Sequence, residues 1–266
     1  MQEIWDLILY NFVGCLIVFA RVTGIFIFNP ILGRITVPMR VRVSMSVVLT
    51  LIMVQVAEST APVGYIPDGI PPFVAVLLLE TLLGFVFGFI VNLVLNVIIF
   101  AGKIIDNQMT LSLAEAIDPS TNVTMPIMAS LYYYLFVLYF FVTDGHLTFI
   151  RLFALSYSII PIGFEFGPEW INLSYYIAMF FGNVMTLAVK MAMPIIAAEM
   201  ILQMCVGVIM KAVPNIQVFV INIQMKLLMG FFIIMATAGP MSDFIDRLMT
   251  LMFEILFASL DRLGTG

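Results

Sequence analysis

Apolar residues in this chain run in long unbroken blocks instead of alternating with polar ones. Residues 7–28, 43–57, 73–101, 125–142 and 174–210 are each nearly free of charge. Residues 227–239 and 248–260 form a final pair split by Pro240 and Asp243. A helix needs about 20 apolar residues to cross the hydrocarbon core of a bilayer. Continuous blocks predict helices, because a membrane barrel strand would alternate with a period of two. With the final pair grouped, the pattern predicts about six hydrophobic segments of an all-α integral membrane protein. Some lengths fit a plain crossing poorly. Residues 43–57 make only about 22 Å of helix against a core of about 30 Å. The block 174–210 is too long for one crossing, and Pro194 within it can kink or break a helix. Such lengths predict helices shielded partly by other protein, with a bundle of tilted, kinked helices as the alternative. Residues 242–263 predict an amphipathic helix, with Asp243, Asp246, Arg247, Thr250, Glu254 and Asp261 near one face. Ser242 is its expected N-cap and Gly264 its expected stop.

Composition narrows the class further. Of 266 residues, 63% are hydrophobic and 10% charged, where a soluble domain has about 45–50% apolar and about 25% charged residues. A mean hydropathy of +1.15 excludes a soluble enzyme, and intrinsic disorder needs the opposite composition. Eleven Lys and Arg form no basic patch for nucleic acid. Cys15 and Cys205 have no metal or disulfide spacing, and the lone His146 makes no relay. No catalytic residue, cofactor or metal is expected. The acidic start, Glu3 and Asp6, is unlike a signal peptide, so the first apolar segment is expected to remain. Basic residues Arg34, Arg40, Arg42, Lys103, Lys211 and Lys226 fall in odd-numbered loops. The even loops hold Arg151 beside Glu58, Asp68, Asp144, Glu165 and Glu169. That asymmetry predicts cytoplasmic odd loops and an external N-terminus.

Two sets of intramembrane polar residues stand out. Glu80, Gly84, Gly88, Asn92 and Asn96 follow one another at intervals of four. Each step of four advances the helix face by about 40°, so they form a slowly winding ribbon of small and polar positions. Glycines permit close backbone approach and asparagines bond across it, which predicts helix packing, or else a ligand or ion path. Arg21, Glu80, Lys190 and Glu199 sit inside apolar blocks. Each such charge costs at least about 2.5–3.5 kcal/mol without a partner. They predict ion pairs that set helix packing, or a proton relay. Lys190 and Glu199 are about 180° apart on a continuous helix, so they pair directly only if Pro194 breaks it.

Between the third and fourth segments, residues 102–122 mix aliphatic and polar side chains too evenly to span a membrane. Asp118, Pro119 and Ser120 signal a turn. A loop of this length beside a bundle is frequently functional. Twenty methionines, concentrated toward the C-terminus, suit either adaptable contact surfaces or simple core filling.

Several short motifs recur in a fixed order. Pro30-Ile31-Leu32-Gly33 precedes Val37-Pro38-Met39-Arg40-Val41-Arg42. Glu80-Thr81-Leu82-Leu83-Gly84 is followed by Ala101-Gly102, Asp106, Gln108 and Asp118-Pro119. Then come Asp144-Gly145-His146, Ser156 with Pro161, Pro194, and Val213-Pro214-Asn215. From about residue 7 to 262, this series resembles the flagellar biosynthetic protein FliR family of type III secretion export components. The chain departs from the family pattern near Thr110, where a glycine is usual, and at Asn222-Ile223-Gln224-Met225-Lys226, where a glycine and proline precede a basic residue. The resemblance implies a non-enzymatic, single-domain chain over residues 1–266, in the inner membrane at the flagellar basal body. One copy would assemble with several copies of FliP and FliQ into an export gate, with FlhB associated. Helical hairpins would stack into a right-handed, cone-like assembly that passes unfolded flagellar subunits, driven mainly by proton-motive force. The family's pore-closing loop corresponds to residues 106–122, including Asp106, Gln108, Met109, Leu111, Leu113, Asp118 and Pro119. The competing reading is a secondary transporter or ion channel with a helix broken near Pro194.

Overall fold

A computed structural model describes residues 2–29, 38–60, 69–112, 126–164, 167, 169–212 and 218–264. Among them are eight helices: α1 (Gln2–Phe28), α2 (Met39–Thr60), α3 (Ile70–Gln108), α4 (Ile127–Val142), α5 (Gly145–Ile159), α6 (Glu169–Ala212), α7 (Val218–Ala236) and α8 (Ala238–Gly264). The protein is an all-α membrane protein. Three helices are long and apolar enough to cross a membrane: α2 over Met39–Ala57, α3, and α6 over Trp170–Lys211. The number rises to five if the broken pairs α4–α5 and α7–α8 each count as one span. Within the remaining expected segment, 7–28, the described side chains form the shorter apolar stretch Phe12–Ile27 of α1.

The structure corrects several boundaries. Helix α3 does not stop near residue 101 but continues to Gln108, so Asp106 and Gln108 are helical and not part of a loop. Pro194 sits inside α6, which is one helix of 44 residues. Membrane helices tolerate proline where neighbours and local adjustments satisfy the freed carbonyl. The broken helix that a transporter reading requires is therefore absent there. The break in the last pair lies at Thr237, not at Pro240 and Asp243, and α7 and α8 meet there at a 66° bend. Pro240 falls in the first turn of α8, where its missing N–H costs nothing. Ser242 is consequently inside the helix and does not cap it. The amphipathic face itself is as expected. Asp243, Asp246, Arg247, Thr250, Glu254 and Asp261 are exposed, while Leu248, Met252, Leu256 and Leu260 are buried. Helix α5 was not expected at all; His146, Arg151 and its serines disguise a buried line of Phe149, Phe153 and Tyr157.

The chain divides into two compact units. The first comprises residues 1–93, 144–179 and 250–266, and the second residues 94–143 and 180–249. Within the first, α2 packs on α1 and on α5. Phe87 of α3 meets Phe149 and Phe153 of α5 edge to face, with ring centroids 6.5 and 5.8 Å away. The hydroxyls of Ser44, Ser46 and Thr50 in α2 each donate to the carbonyl four residues earlier, which hides their polarity inside an apolar helix. Arg262 of α8 stacks on Tyr176 of α6, 4.0 Å from the ring centre. Within the second unit, α8 is held to α4 by Tyr139, whose hydroxyl donates to Asp246 at 2.7 Å.

Candidate functional site

The best-defined polar site in the second unit is built at the end of α3. The N–H of Leu111 donates to the Asp106 carbonyl at 3.0 Å and that of Thr110 to the Asn107 carbonyl at 3.3 Å. These six-to-one and five-to-two bonds are a Schellman stop. The residue in its left-handed position is Thr110, with φ of 60°, although a β-branched side chain is strongly disfavoured there. A glycine would meet no such resistance. The Asp106 side chain is fully buried and points at the start of α4. Its carboxylate accepts from the N–H of Met128 at 3.0 and 3.1 Å and from that of Ala129 at 3.4 Å. Pro126, at the N-cap of α4, makes no side-chain cap bond, so Asp106 satisfies donors that the helix's own sequence leaves open. The negative charge also faces the positive end of the helix dipole.

Asp106 thus holds both edges of the expected loop. Its carbonyl fixes Leu111 and its carboxylate fixes Met128. Nearby packing reinforces the joint. A side chain at Gly102 would collide with the backbone of Ala129, which lets α3 and α4 touch. Met109 is fully buried and fills the notch over Gly230 of α7. Gln108 and Leu111 are half-buried. Leu113, Asp118 and Pro119, the rest of the expected pore-closing loop, lie outside the described residues.

In the first unit, Arg21 and Glu80 form a fully buried ion pair at 2.5 Å. The guanidinium also donates to the Ser156 hydroxyl at 3.2 Å and to the Ile160 carbonyl at 3.1 Å. Its planar face lies 4.2 Å from the centre of the Tyr157 ring. A rigid fork of donors suits such divergent acceptors, and the cation joins α1, α3 and the end of α5. Glu80 Oε1 and the Tyr157 hydroxyl have no hydrogen-bond partner among the described residues.

The ribbon on α3 begins at this pair and turns outward along the helix. Glu80, Gly84 and Gly88 are buried, Asn92 is half-buried and Asn96 is exposed. A Cβ on Gly84 would strike the Arg21 carbonyl, and one on Gly24 the Thr81 carbonyl, so α1 and α3 cross backbone to backbone. Sequence reasoning missed Gly24, although Ala20 and Gly24 have the four-residue spacing of close-packing helices. It named Ser156 only within the motif series and missed Tyr157, which the recurrence of Phe149, Phe153 and Tyr157 at helical intervals would have placed on one face.

Lys190 and Glu199 are not brought together. On the unbroken α6, Lys190 is exposed and Glu199 buried. The charge acting on Glu199 is that of Lys226 on α7, itself buried, which had been assigned to a loop. Among the described residues, no three metal-ligating side chains cluster. Among the described residues the arrangement offers joints between helices and no nucleophile–base pair.

The family described as bacterial export proteins, family 1, matches residues 12–252. The chain is 24% identical to the flagellar biosynthetic protein FliR of Bacillus subtilis over 96% of each chain. It is 27% identical to the FliR of Escherichia coli over 89% of this chain and 88% of that one. The surface presentation of antigens protein SpaR of Shigella flexneri is 24% identical over 82% of each.

Proposed function

We propose that this chain, which belongs to the bacterial export proteins, family 1, is a channel-forming subunit of a flagellar protein export gate in the bacterial inner membrane. The observation that carries this reading is the family match, which runs through nearly the whole chain. The chain performs no catalytic step. Its work is to join FliP-like and FliQ-like subunits, with an FlhB-like protein alongside, into a helical stack of hairpins that unfolded flagellar subunits cross. The exposed apolar faces of α2 and α6, where only 17% and 22% of the most apolar stretch is buried within the chain, support a subunit that leaves much of its surface to lipid or to neighbours.

Of residues 106–122, Asp106 and Gln108 belong to the end of α3, and the segment that follows them serves as the closing element of the resting gate. A gate must stop ions yet admit a polypeptide, which a movable plug on a fixed base achieves and a rigid constriction does not. The Asp106 joint supplies such a base. Deleting residues 109–116 is expected to make cells leak ions when the complex is overproduced, read as membrane depolarisation. Normal assembly and export without leakage would reduce the segment to a linker. Loss of flagellar subunit secretion on removing the whole chain, restored by the wild-type copy, tests the larger reading; unchanged secretion contradicts it.

A further inference from the structure

We propose that the groove between α1, α2 and α5 is a binding site for one acyl chain of an anionic membrane phospholipid, with Arg40 holding the headgroup. The cavity has a volume of about 470 Å³. Its floor is closed by Ile25, Phe149 and Phe153, which are at most 5% exposed. One wall is α2, where Val41, Met45 and Val48 turn exposed apolar side chains along it. The lining runs on α2 from Arg40 to Ile52, about 18 Å of helix at 1.5 Å per residue, the length of an extended fatty acyl chain and not of a compact solute. Apart from Arg40 and Ser44, whose hydroxyl donates to the Arg40 carbonyl, the described lining is apolar. A lipid tail enters the groove from bilayer hydrocarbon and not from water, so close packing along the slot and the headgroup contact hold it there.

The two ends of the groove differ, and that difference selects the lipid. Arg40 is exposed and stands in the first turn of α2, the only charged residue of the lining among the described residues. Helix N-termini favour anions, and a guanidinium matches a phosphate bidentately. Arg42 follows two positions on, adding positive charge to the same end. A phosphate diester at the mouth with its tail along α2 uses both ends of the groove, whereas a neighbouring apolar helix would leave Arg40 facing a hydrocarbon surface. This site does not depend on the export role.

The full chain carrying Met45→Trp, reconstituted in phosphatidylcholine vesicles, tests it. Quenching of that tryptophan by brominated phosphatidylglycerol is compared with quenching by brominated phosphatidylcholine at the same mole fraction. A preference of about fivefold for the anionic lipid is expected, the contribution of one basic residue near a membrane surface. Adding Arg40→Gln should bring the ratio to about one, and high salt on the Arg40 protein should lower it toward one, a readout that needs no second variant to fold. Leu138→Trp on α4 serves as the control, with a ratio of about one throughout. Equal quenching by both lipids at Met45→Trp, an anionic preference that survives Arg40→Gln and salt, or no quenching by either lipid because protein fills the groove, would each overturn the proposal.

Discussion

Thr110 occupies a backbone conformation that its own side chain opposes. The left-handed region costs an L-residue about 1–2 kcal/mol, and glycine removes that cost while adding about 0.4–1 kcal/mol of unfolded-chain entropy. Thr110→Gly is therefore expected to stabilise the full chain by about 0.5–1 kcal/mol, seen as a higher denaturation midpoint in detergent. A lower midpoint would show that the hydroxyl, which donates to the Met109 carbonyl at 2.6 Å, outweighs the strain. Asp106 is the opposite case, a residue on which two elements depend. Asp106→Ala leaves the buried N–H groups of Met128 and Ala129 without an acceptor and is expected to cost about 1–3 kcal/mol. Asp106→Asn keeps an acceptor but loses the charge at the helix end, and should cost less. Equal midpoints for the alanine variant and wild type would mean that water replaces the carboxylate and that the joint is not fixed by it.

At the scale of elements, α1, α3 and α5 are locked by a polar pin and a close crossing. Arg21→Met leaves Glu80 buried and uncompensated, a loss of about 3–5 kcal/mol when a buried pair is broken from one side. Replacing both, as Arg21→Met with Glu80→Leu, should recover part of that loss, because it removes the uncompensated carboxylate and leaves only the Ile160 carbonyl, Ser156 and Tyr157 without the cation. A double variant less stable than the single one would show that the pair contributes net stability. Gly84→Leu places a side chain against the α1 backbone, where nothing flexible can yield, and should separate α1 from α3 and lower the yield of folded protein. Normal yield would refute the backbone-to-backbone crossing. Much of this was legible in the sequence. Nearly charge-free blocks of helical length placed α1, α2, α3, α4 and α6, and the four-residue ribbon marked a face of α3 that is buried at Glu80, Gly84 and Gly88. What was not legible depended on partners distant in sequence. The extension of α3 to Gln108 rests on Asp106 finding the start of α4, 22 residues on. The polar look of α5 hid its packing face, because Ser156 is matched to an arginine 135 positions earlier. Pro194 can kink or break a helix by its local chemistry, and the fold settles that choice by keeping α6 continuous.

For the whole molecule, the fold supplies rigid joints inside each compact unit and leaves long apolar helix faces uncovered. The transporter reading places its broken helix at Pro194, where α6 runs unbroken; the sharp breaks fall between α4 and α5 and between α7 and α8. A subunit of an export gate needs the reverse, surfaces for other chains and a closing element on a fixed base. The most direct test is to isolate the tagged full-length chain from its own membranes in mild detergent and weigh the intact particle by native mass spectrometry. The account predicts a hetero-oligomer in which one copy of this chain is accompanied by several copies each of a FliP-like and a FliQ-like membrane protein. A particle containing this chain alone, as a monomer or a homo-oligomer, would contradict it.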